Sequence, residues 1–141
     1  MQSASHQVTL ADLEQATQLL LEQLLPALEG AGYSQTSRFA IRLALEETLT
    51  NAFQHGNQGD PRKKVSLKWA FDDQAANFDV IDEGDGFDPV AVPDPTVEEN
   101  LEIPAGRGLI LVRSFMTELQ VIAPGNHIKM RYVLPAGQEV E

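Results

Sequence analysis

Three polar residues with complementary chemistry recur at four-residue intervals in one stretch of the chain. Glu47, Asn51 and His55 carry a carboxylate, a carboxamide and an imidazole, and this spacing stacks them along one face of a helix. An amide oxygen can ligate Mg²⁺ without adding charge, and a carboxylate can accept a proton from a reacting hydroxyl or water. The pattern therefore indicates a metal-assisted site, with a solvated polar helix face as the alternative. We interpret His55 as a pocket-edge or structural residue rather than a metal ligand.

Asp82 is the second candidate, because it follows an alternating apolar pattern over positions 76–80. It shares the parity of those apolar residues, so its carboxylate should point to the covered face of a sheet. A buried carboxylate needs a hydrogen-bond donor, and the exocyclic amine of adenine is one such donor. Gly84, Gly86 and Phe87 follow, and the two glycines let a flat ligand approach the backbone. The alternative is an aspartate that only starts a turn with these glycines.

A third stretch has the composition of an anion site. Gly106, Arg107, Gly108 and Leu109 stand where a helix should begin. Free N–H groups at a helix start attract anions, and Arg107 can pair with a terminal phosphate. A flexible helix start is the alternative. The sequence contains no Walker-type phosphate loop, and Pro89 stands where the dinucleotide fingerprint needs a third glycine.

Helices must position these side chains. Apolar residues recur every three or four positions over 10–28, which predicts an amphipathic helix. Pro26 inside that pattern predicts a kink or an earlier end. A second helix should be capped by Ser34 or Thr36 and run to about His55. Glycines after each pattern should end both helices.

Strands are predicted where the apolar period changes to two. Segments 65–71 and 76–80 form one hairpin, and segments 119–123 and 128–134 form another. Residues 6–10 form a short first strand. Each strand has one apolar face, so helices should cover one side of the sheet. The fold class is therefore α+β, a two-layer sandwich with a mixed, mostly antiparallel sheet.

Length and composition narrow the classes of function. The 141 residues fit a single domain, 1–141, with a long loop at about 88–105 and a frayed tail at 136–141. Ten basic against twenty-one acidic residues give a charge of −11, which disfavours binding to nucleic acid. The negative charge keeps the protein soluble or, alternatively, attracts a basic protein partner. The absence of cysteine excludes disulfides and thiolate chemistry. Lacking an apolar span and a signal peptide, the chain is expected to be cytoplasmic and not membrane-bound.

The order of the motifs is more specific than any one of them. A helix with Glu-x-x-x-Asn-Ala-x-x-His-Gly precedes Asp-x-Gly-x-Gly-Phe, a variable loop, and Gly-x-Gly-Leu opening a helix. This order resembles the gyrase, chaperone, histidine-kinase and mismatch-repair ATPase superfamily. Within it, the chain is similar to the stand-alone bacterial anti-sigma-factor serine/threonine kinases. The matching stretches are EETLTNAFQHGN (46–57), DEGDGFDP (82–89), GRGLILVRSFMTEL (106–119) and GNHIKMRYVL (125–134).

The resemblance implies a Bergerat α/β sandwich that binds ATP and Mg²⁺. It implies that Glu47 is the catalytic base, Asn51 the magnesium ligand and Asp82 the adenine-recognising carboxylate. It also implies that Gly86 lies beside the adenine ring, that Gly106–Leu109 bind phosphate and that residues 88–105 form a lid.

Three functional hypotheses follow. The first is a serine/threonine kinase that phosphorylates a small antagonist protein and regulates a sigma factor or similar signalling partner, with a homodimer suggested by the family. The second is a non-catalytic ATP-binding regulatory module or a detached histidine-kinase-like catalytic domain. The third is an interaction domain with a vestigial pocket.

Overall fold

Five strands and two long helical segments make up the part of the chain that the computed structural model describes, which is residues 4–84, 112, 115–122 and 126–135. The strands are β1 (Ala4–Leu10), β2 (Val65–Phe71), β3 (Ala75–Asp82), β4 (Glu118–Ile122) and β5 (His127–Val133). The α-helices are α1 (Leu13–Leu19), α2 (Leu25–Gly30) and α3 (Gln35–Asn51). Two π-helical turns, Leu20–Leu24 and Ala52–Gly56, extend them.

The sheet has the strand order β1-β2-β3-β5-β4, which makes β3 the central strand. Every described ladder is antiparallel, so this sheet is more uniform than the mixed sheet expected. Both predicted hairpins are present, since β2 pairs with β3 and β4 pairs with β5. Asp82 lies opposite Val65, at the end of the central strand.

Within the described residues, helices cover one face of the sheet and not the other. Alternate residues of the three central strands are buried beneath the helices, Leu67, Phe78 and Met130 among them. Ile41 and Leu45 of α3 are fully buried in the same core. On the opposite face, polar side chains such as those of Lys68, Asp79 and Lys129 occupy neighbouring register positions. The predicted two-layer α+β sandwich is therefore confirmed.

The first helix continues through Pro26, and the earlier end predicted from this proline is wrong. The backbone passes from α1 through the π turn into α2, and the N–H of Leu25 donates to the carbonyl of Leu20. This wider turn leaves Pro26 in the first turn of α2. Pro26 has no N–H to donate to the preceding turn, and the wider π turn accommodates the proline without ending the helix. The chain leaves the helix at Gly32, which has a positive φ of 96°.

The second helix begins where predicted. Ser34 is its N-cap, and its hydroxyl accepts a hydrogen bond of 3.1 Å from the N–H of Ser37. The helix continues beyond Asn51 as a π turn that ends at Gly56. A predicted helix end near His55 is therefore confirmed.

Several predicted features lie outside the described residues. These are the loop 88–105, the start of the third helix near Gly106 and the tail 136–141. Val112 and Phe115 are helical, as the third-helix pattern requires. Within the described ranges, no helix combines the length and apolarity needed to cross a bilayer.

Candidate functional site

Helix α3 carries the candidate catalytic pair on its flank. Its buried face is formed by residues such as Ile41 and Leu49, which fixes the rotation of the helix against the sheet. Glu47 and Asn51 are consequently half-buried, whereas His55 is exposed on the π turn that follows. The pair is thus held by a rigid, well-packed element while its polar atoms remain within reach of solvent or a ligand.

A groove lies beside Glu47, between the first helix and α3. Its volume is about 310 Å³. The first helix contributes a largely apolar wall, and α3 contributes a wall with two carboxylates. The lining residues are Leu13, Ala16, Thr17, Leu20, Glu46, Glu47, Leu49 and Thr50. A peptide-like segment seated there would lie next to the carboxylate of Glu47.

The end of the central strand meets the end of the second helix at Asp82. One carboxylate oxygen, Oδ1, accepts a hydrogen bond of 2.7 Å from the N–H of Gly84. The carboxylate also lies directly against Gly56, where an added Cβ would overlap it. Among the residues that the structure describes, none donates a hydrogen bond to the other oxygen, Oδ2. Oδ2 is the atom that an added Cβ at Gly56 would meet first, so a donor to this oxygen would have to lie beside the backbone of that glycine.

The two glycines at this junction permit the close approach. A Cβ at Gly84 would overlap the backbone carbonyl of Gly56, and one at Gly56 would overlap the carboxylate of Asp82. Neither clash can be relieved by a small side-chain rotation, because one partner is backbone and the other is hydrogen-bonded. The absence of side chains at both positions thus lets Gly56, Asp82 and Gly84 pack directly against one another at the end of β3.

The electrostatics of Asp82 follow from its surroundings. Burial raises the pKa of its carboxyl group above the usual value, because a low-dielectric environment disfavours the charged form. The N–H of Gly84 and the nearby charge of Lys63 act in the opposite direction and lower this pKa. The net effect is upward. A ligand that donates a hydrogen bond to the carboxylate would therefore offset part of the desolvation cost.

Two asparagines that organise this junction were missed by reasoning from the sequence. The Nδ2 of Asn57 donates to the carbonyl of Lys64 (3.0 Å), and its Oδ1 accepts from the N–H of Glu83 (2.8 Å). Asn126 contacts the last residue of β3. Its carbonyl accepts from the N–H of Asp82 (2.9 Å) and its Nδ2 donates to the carbonyl of Asp82 (3.1 Å). Only the glycine before each asparagine hinted at a special backbone position.

The structure brings together some of the predicted residues and leaves others undescribed. Glu47 and Asn51 lie on the helix whose extension ends against Asp82 and Gly84. The remaining site residues predicted from the sequence lie outside the described residues. They are Gly86, Phe87, Gly106, Arg107, Gly108 and Leu109.

The sequence is similar to those of several bacterial regulatory proteins. A serine-protein kinase RsbW from Bacillus licheniformis is 31% identical over 99 residues, which are 64% of this chain and 60% of that protein. The RsbW protein of Bacillus subtilis gives 31% over 98 residues, with the same shares. An anti-sigma F factor from Oceanobacillus iheyensis is 29% identical over 86 residues, 59% of this chain and 58% of that protein. The matches thus span about 60% of the length of these curated relatives.

A family model covers more of the chain than these pairwise matches. The model of the histidine kinase-like ATPase domain matches residues 9–132. This range contains α3 with Glu47 and Asn51, the junction of Gly56 with Asp82, and all of the strands except the first part of β1 and the end of β5. Motif order, fold and family model agree, and this chain belongs to the histidine kinase-like ATPase domain family.

Proposed function

We propose that this chain is an ATP-dependent serine/threonine protein kinase of the anti-sigma-factor type. It would phosphorylate a small antagonist protein and bind a sigma factor or similar signalling partner. The observation that carries the proposal is the carboxylate of Asp82, which has one oxygen without a donor among the described residues and lies at the end of the helix bearing Glu47 and Asn51. The printed names of the relatives, serine-protein kinase and anti-sigma F factor, support the same function.

The nucleotide would be held at three places. The exocyclic amine of adenine would donate to Asp82, beside the backbone of Gly56 and Gly84. Gly86, Phe87 and His55 would lie around the adenosine, and Gly106–Leu109 with Arg107 would bind the phosphates. Asn51 would supply one ligand to Mg²⁺. The described residues contain no group of three or more histidine or acidic side chains suited to a metal, and Mg²⁺ commonly takes its other ligands from phosphates and water.

Glu47 would act as the general base. Its carboxylate accepts the proton of the acceptor hydroxyl while that oxygen forms a bond to the γ-phosphorus. The bond from the γ-phosphorus to the bridging oxygen breaks, which leaves ADP and a phosphoserine or phosphothreonine. Bound Mg²⁺ neutralises charge on the phosphates. The half-buried position of Glu47 on a rigid helix supports this role, because general-base catalysis requires a fixed geometry.

The groove beside Glu47 would seat the acceptor segment. Its apolar wall suits an aliphatic side chain next to the reacting residue. Glu47 gives the other wall negative charge, whereas Glu46 is paired with Arg42 at 3.1 Å. The chain as a whole carries −11. Charge complementarity therefore favours an acceptor segment that is basic around its serine or threonine.

A non-catalytic ATP-binding module remains the second candidate. The family model describes a histidine kinase-like ATPase domain, a description that names nucleotide use but no protein acceptor. In that case the chain would bind MgATP and control a partner without forming a phosphoprotein.

The test separates transfer from binding. The chain is incubated with MgATP and an antagonist protein recovered by pull-down from the source cell, and phosphopeptides are measured by mass spectrometry. We expect Glu47→Gln to reduce transfer by about 10²- to 10⁴-fold with little change in ATP affinity. Glu22→Gln makes the same chemical change at an exposed position of the first helix and should retain transfer. Undiminished transfer in Glu47→Gln would remove Glu47 from the mechanism. ATP binding without any phosphoprotein would favour the module.

A further inference from the structure

Asn57 is a buried polar residue to which the proposed function gives no role. Only 1% of its surface is exposed, which makes it the most buried of the described polar side chains. Its amide is paired at both ends, with the carbonyl of Lys64 and the N–H of Glu83. An asparagine that served only to end a helix would not need to be buried, because water can satisfy its amide.

The two hydrogen bonds connect segments that converge on the adenine-facing carboxylate. The backbone N–H of Asn57 donates to the carbonyl of Ala52 (2.8 Å), which ties the residue to the π turn of the second helix. Its Oδ1 holds Glu83, the residue directly after Asp82. Its Nδ2 holds Lys64, directly before β2. Asn57 therefore fixes the turn at the end of β3 against the helix that carries Gly56.

The position of the Asp82 carboxylate depends on this connection. On one side, the strand partner Asn126 holds the backbone of Asp82. On the other side, the carboxylate packs against Gly56, the residue directly before Asn57. Without the Asn57 side chain, the N–H of Glu83 would lose its acceptor and the turn at 82–84 could move away from the helix. Hydrogen bonds weaken steeply with poor angles, so a small movement would matter for a ligand bound at Oδ2.

We propose that Asn57 is a positioning residue that aligns the carboxylate of Asp82 with the exocyclic amine of adenine, and that it thereby sets the preference of the site for adenine. This inference rests on the proposed function. A purely structural asparagine would affect all nucleotides equally. A positioning asparagine affects the nucleotides that carry the amine.

The experiment compares two nucleotides on the whole chain. MgATP carries the 6-amino group, and the magnesium complex of purine riboside triphosphate lacks it. Affinities are measured by calorimetry for the unmodified chain, Asn57→Ala and the control Asn77→Ala, which changes an asparagine on the uncovered face of β3. We expect the unmodified chain and Asn77→Ala to prefer MgATP. Asn57→Ala should lose about tenfold in affinity for MgATP and no more than about twofold for the analogue.

Each outcome decides between the inference and the proposed function. An equal loss for both nucleotides, or an unchanged preference, in Asn57→Ala would overturn the positioning role alone. An unmodified chain that does not distinguish the two nucleotides would overturn adenine recognition by Asp82, and the inference with it. If Asn57→Ala does not fold, Asn57→Ser leaves a hydroxyl and a smaller void. The preference is a ratio within one protein preparation, so a partial loss of folded protein does not alter it.

Discussion

The buried charge of Asp82 lowers the stability of the fold. Its carboxyl group is half-buried, and burial raises its pKa above the usual value. A raised carboxyl pKa means that the folded state binds the proton more tightly than the unfolded state does. Ionised Asp82 therefore lowers the free energy of unfolding at neutral pH. This loss diminishes as the pH falls through the raised pKa, and it vanishes below the unfolded value of about 3.9, where the group is protonated in both states.

Asp82→Asn should have opposite effects on the stability of the fold and on the affinity for MgATP. The asparagine keeps an oxygen for the N–H of Gly84 and removes the buried charge, so unfolding in urea without nucleotide should require more denaturant at pH 7. The advantage should shrink as the pH approaches about 4. Affinity for MgATP should fall by about 1–3 kcal/mol, since the amide cannot replace the carboxylate as an acceptor of equal strength.

Two results would contradict this account of Asp82. A stability difference that does not change with pH would show that ionisation is not its cause. An unchanged MgATP affinity would remove the residue from the nucleotide site.

At the level of single residues, the sequence predicts those whose position follows from a local period. The period of two places Asp82 on the covered face, and four-residue spacing places Glu47 and Asn51 on one flank of a helix. Asn57 could not be found in this way. Its partners lie 7 and 26 residues away, so its burial depends on how the helix end meets the sheet. No local pattern contains that information.

Among the elements, the second helix shows why an α-helical pattern can extend into a π turn. Its apolar residues recur at strict four-residue spacing through Leu45, Leu49 and Phe53. In an α-helix with 3.6 residues per turn this spacing rotates steadily around the axis, so Phe53 would drift away from the core. The wider π turn Ala52–Gly56 counters the rotation, and Phe53 is buried with only 9% of its surface exposed. The same turn delivers Gly56 to Asp82.

The boundaries of the other elements were predictable where side-chain chemistry marks them. Ser34 caps the second helix because its hydroxyl replaces a missing acceptor for a first-turn N–H. Pro26 misled the prediction, because its effect depends on whether the preceding turn is α or π. Four-residue spacing fits both an α-helix whose apolar line drifts and a helix with one wider turn, so the positions of the two π turns were not predictable from it.

The groove between the first helix and α3 gives a prediction for acceptor binding. Thr17 lines the groove and is itself exposed, so Thr17→Trp should fill it without disturbing the core. We expect phosphoryl transfer to the antagonist protein to fall by about tenfold through a higher KM, an effect of about 1.4 kcal/mol. Affinity for MgATP should not change, because the nucleotide would lie on the other side of Glu47.

Thr9→Trp is the matched control for the groove. Thr9 is an exposed threonine of β1, outside the groove, and the same substitution there should leave transfer intact. Equal transfer by both variants would exclude the groove as the acceptor site. Loss of MgATP binding in Thr17→Trp would indicate that the groove belongs to the nucleotide site instead.

For the whole molecule, the uneven coverage of the sheet accounts for the location of the site. Helices cover one face in the described part of the chain, and the proposed nucleotide site lies where one of them ends. The second helix ends at Gly56, against the end of central strand β3. The two-layer arrangement was predictable because every strand has one apolar face. The junction itself was not, because the meeting of Gly56, Asn57 and Asp82 depends on how far the helix extends along the sheet.

Nucleotide binding should be measurable as stability of the whole domain. A ligand that binds only the folded state adds about 2.7 kcal/mol at a concentration of 100 Kd, which for a chain of 141 residues corresponds to a rise in Tm of about 9 °C. We expect MgATP to give such a rise. Asp82→Asn should abolish most of it while starting from a higher Tm without nucleotide, because the variant loses both the ligand contact and the buried charge. A variant that is only destabilised would instead have a lower Tm both without nucleotide and with MgATP. An unmodified chain whose Tm does not respond to millimolar MgATP would favour a vestigial pocket over a kinase and over an ATP-binding module, because both of these require the nucleotide to bind the folded chain.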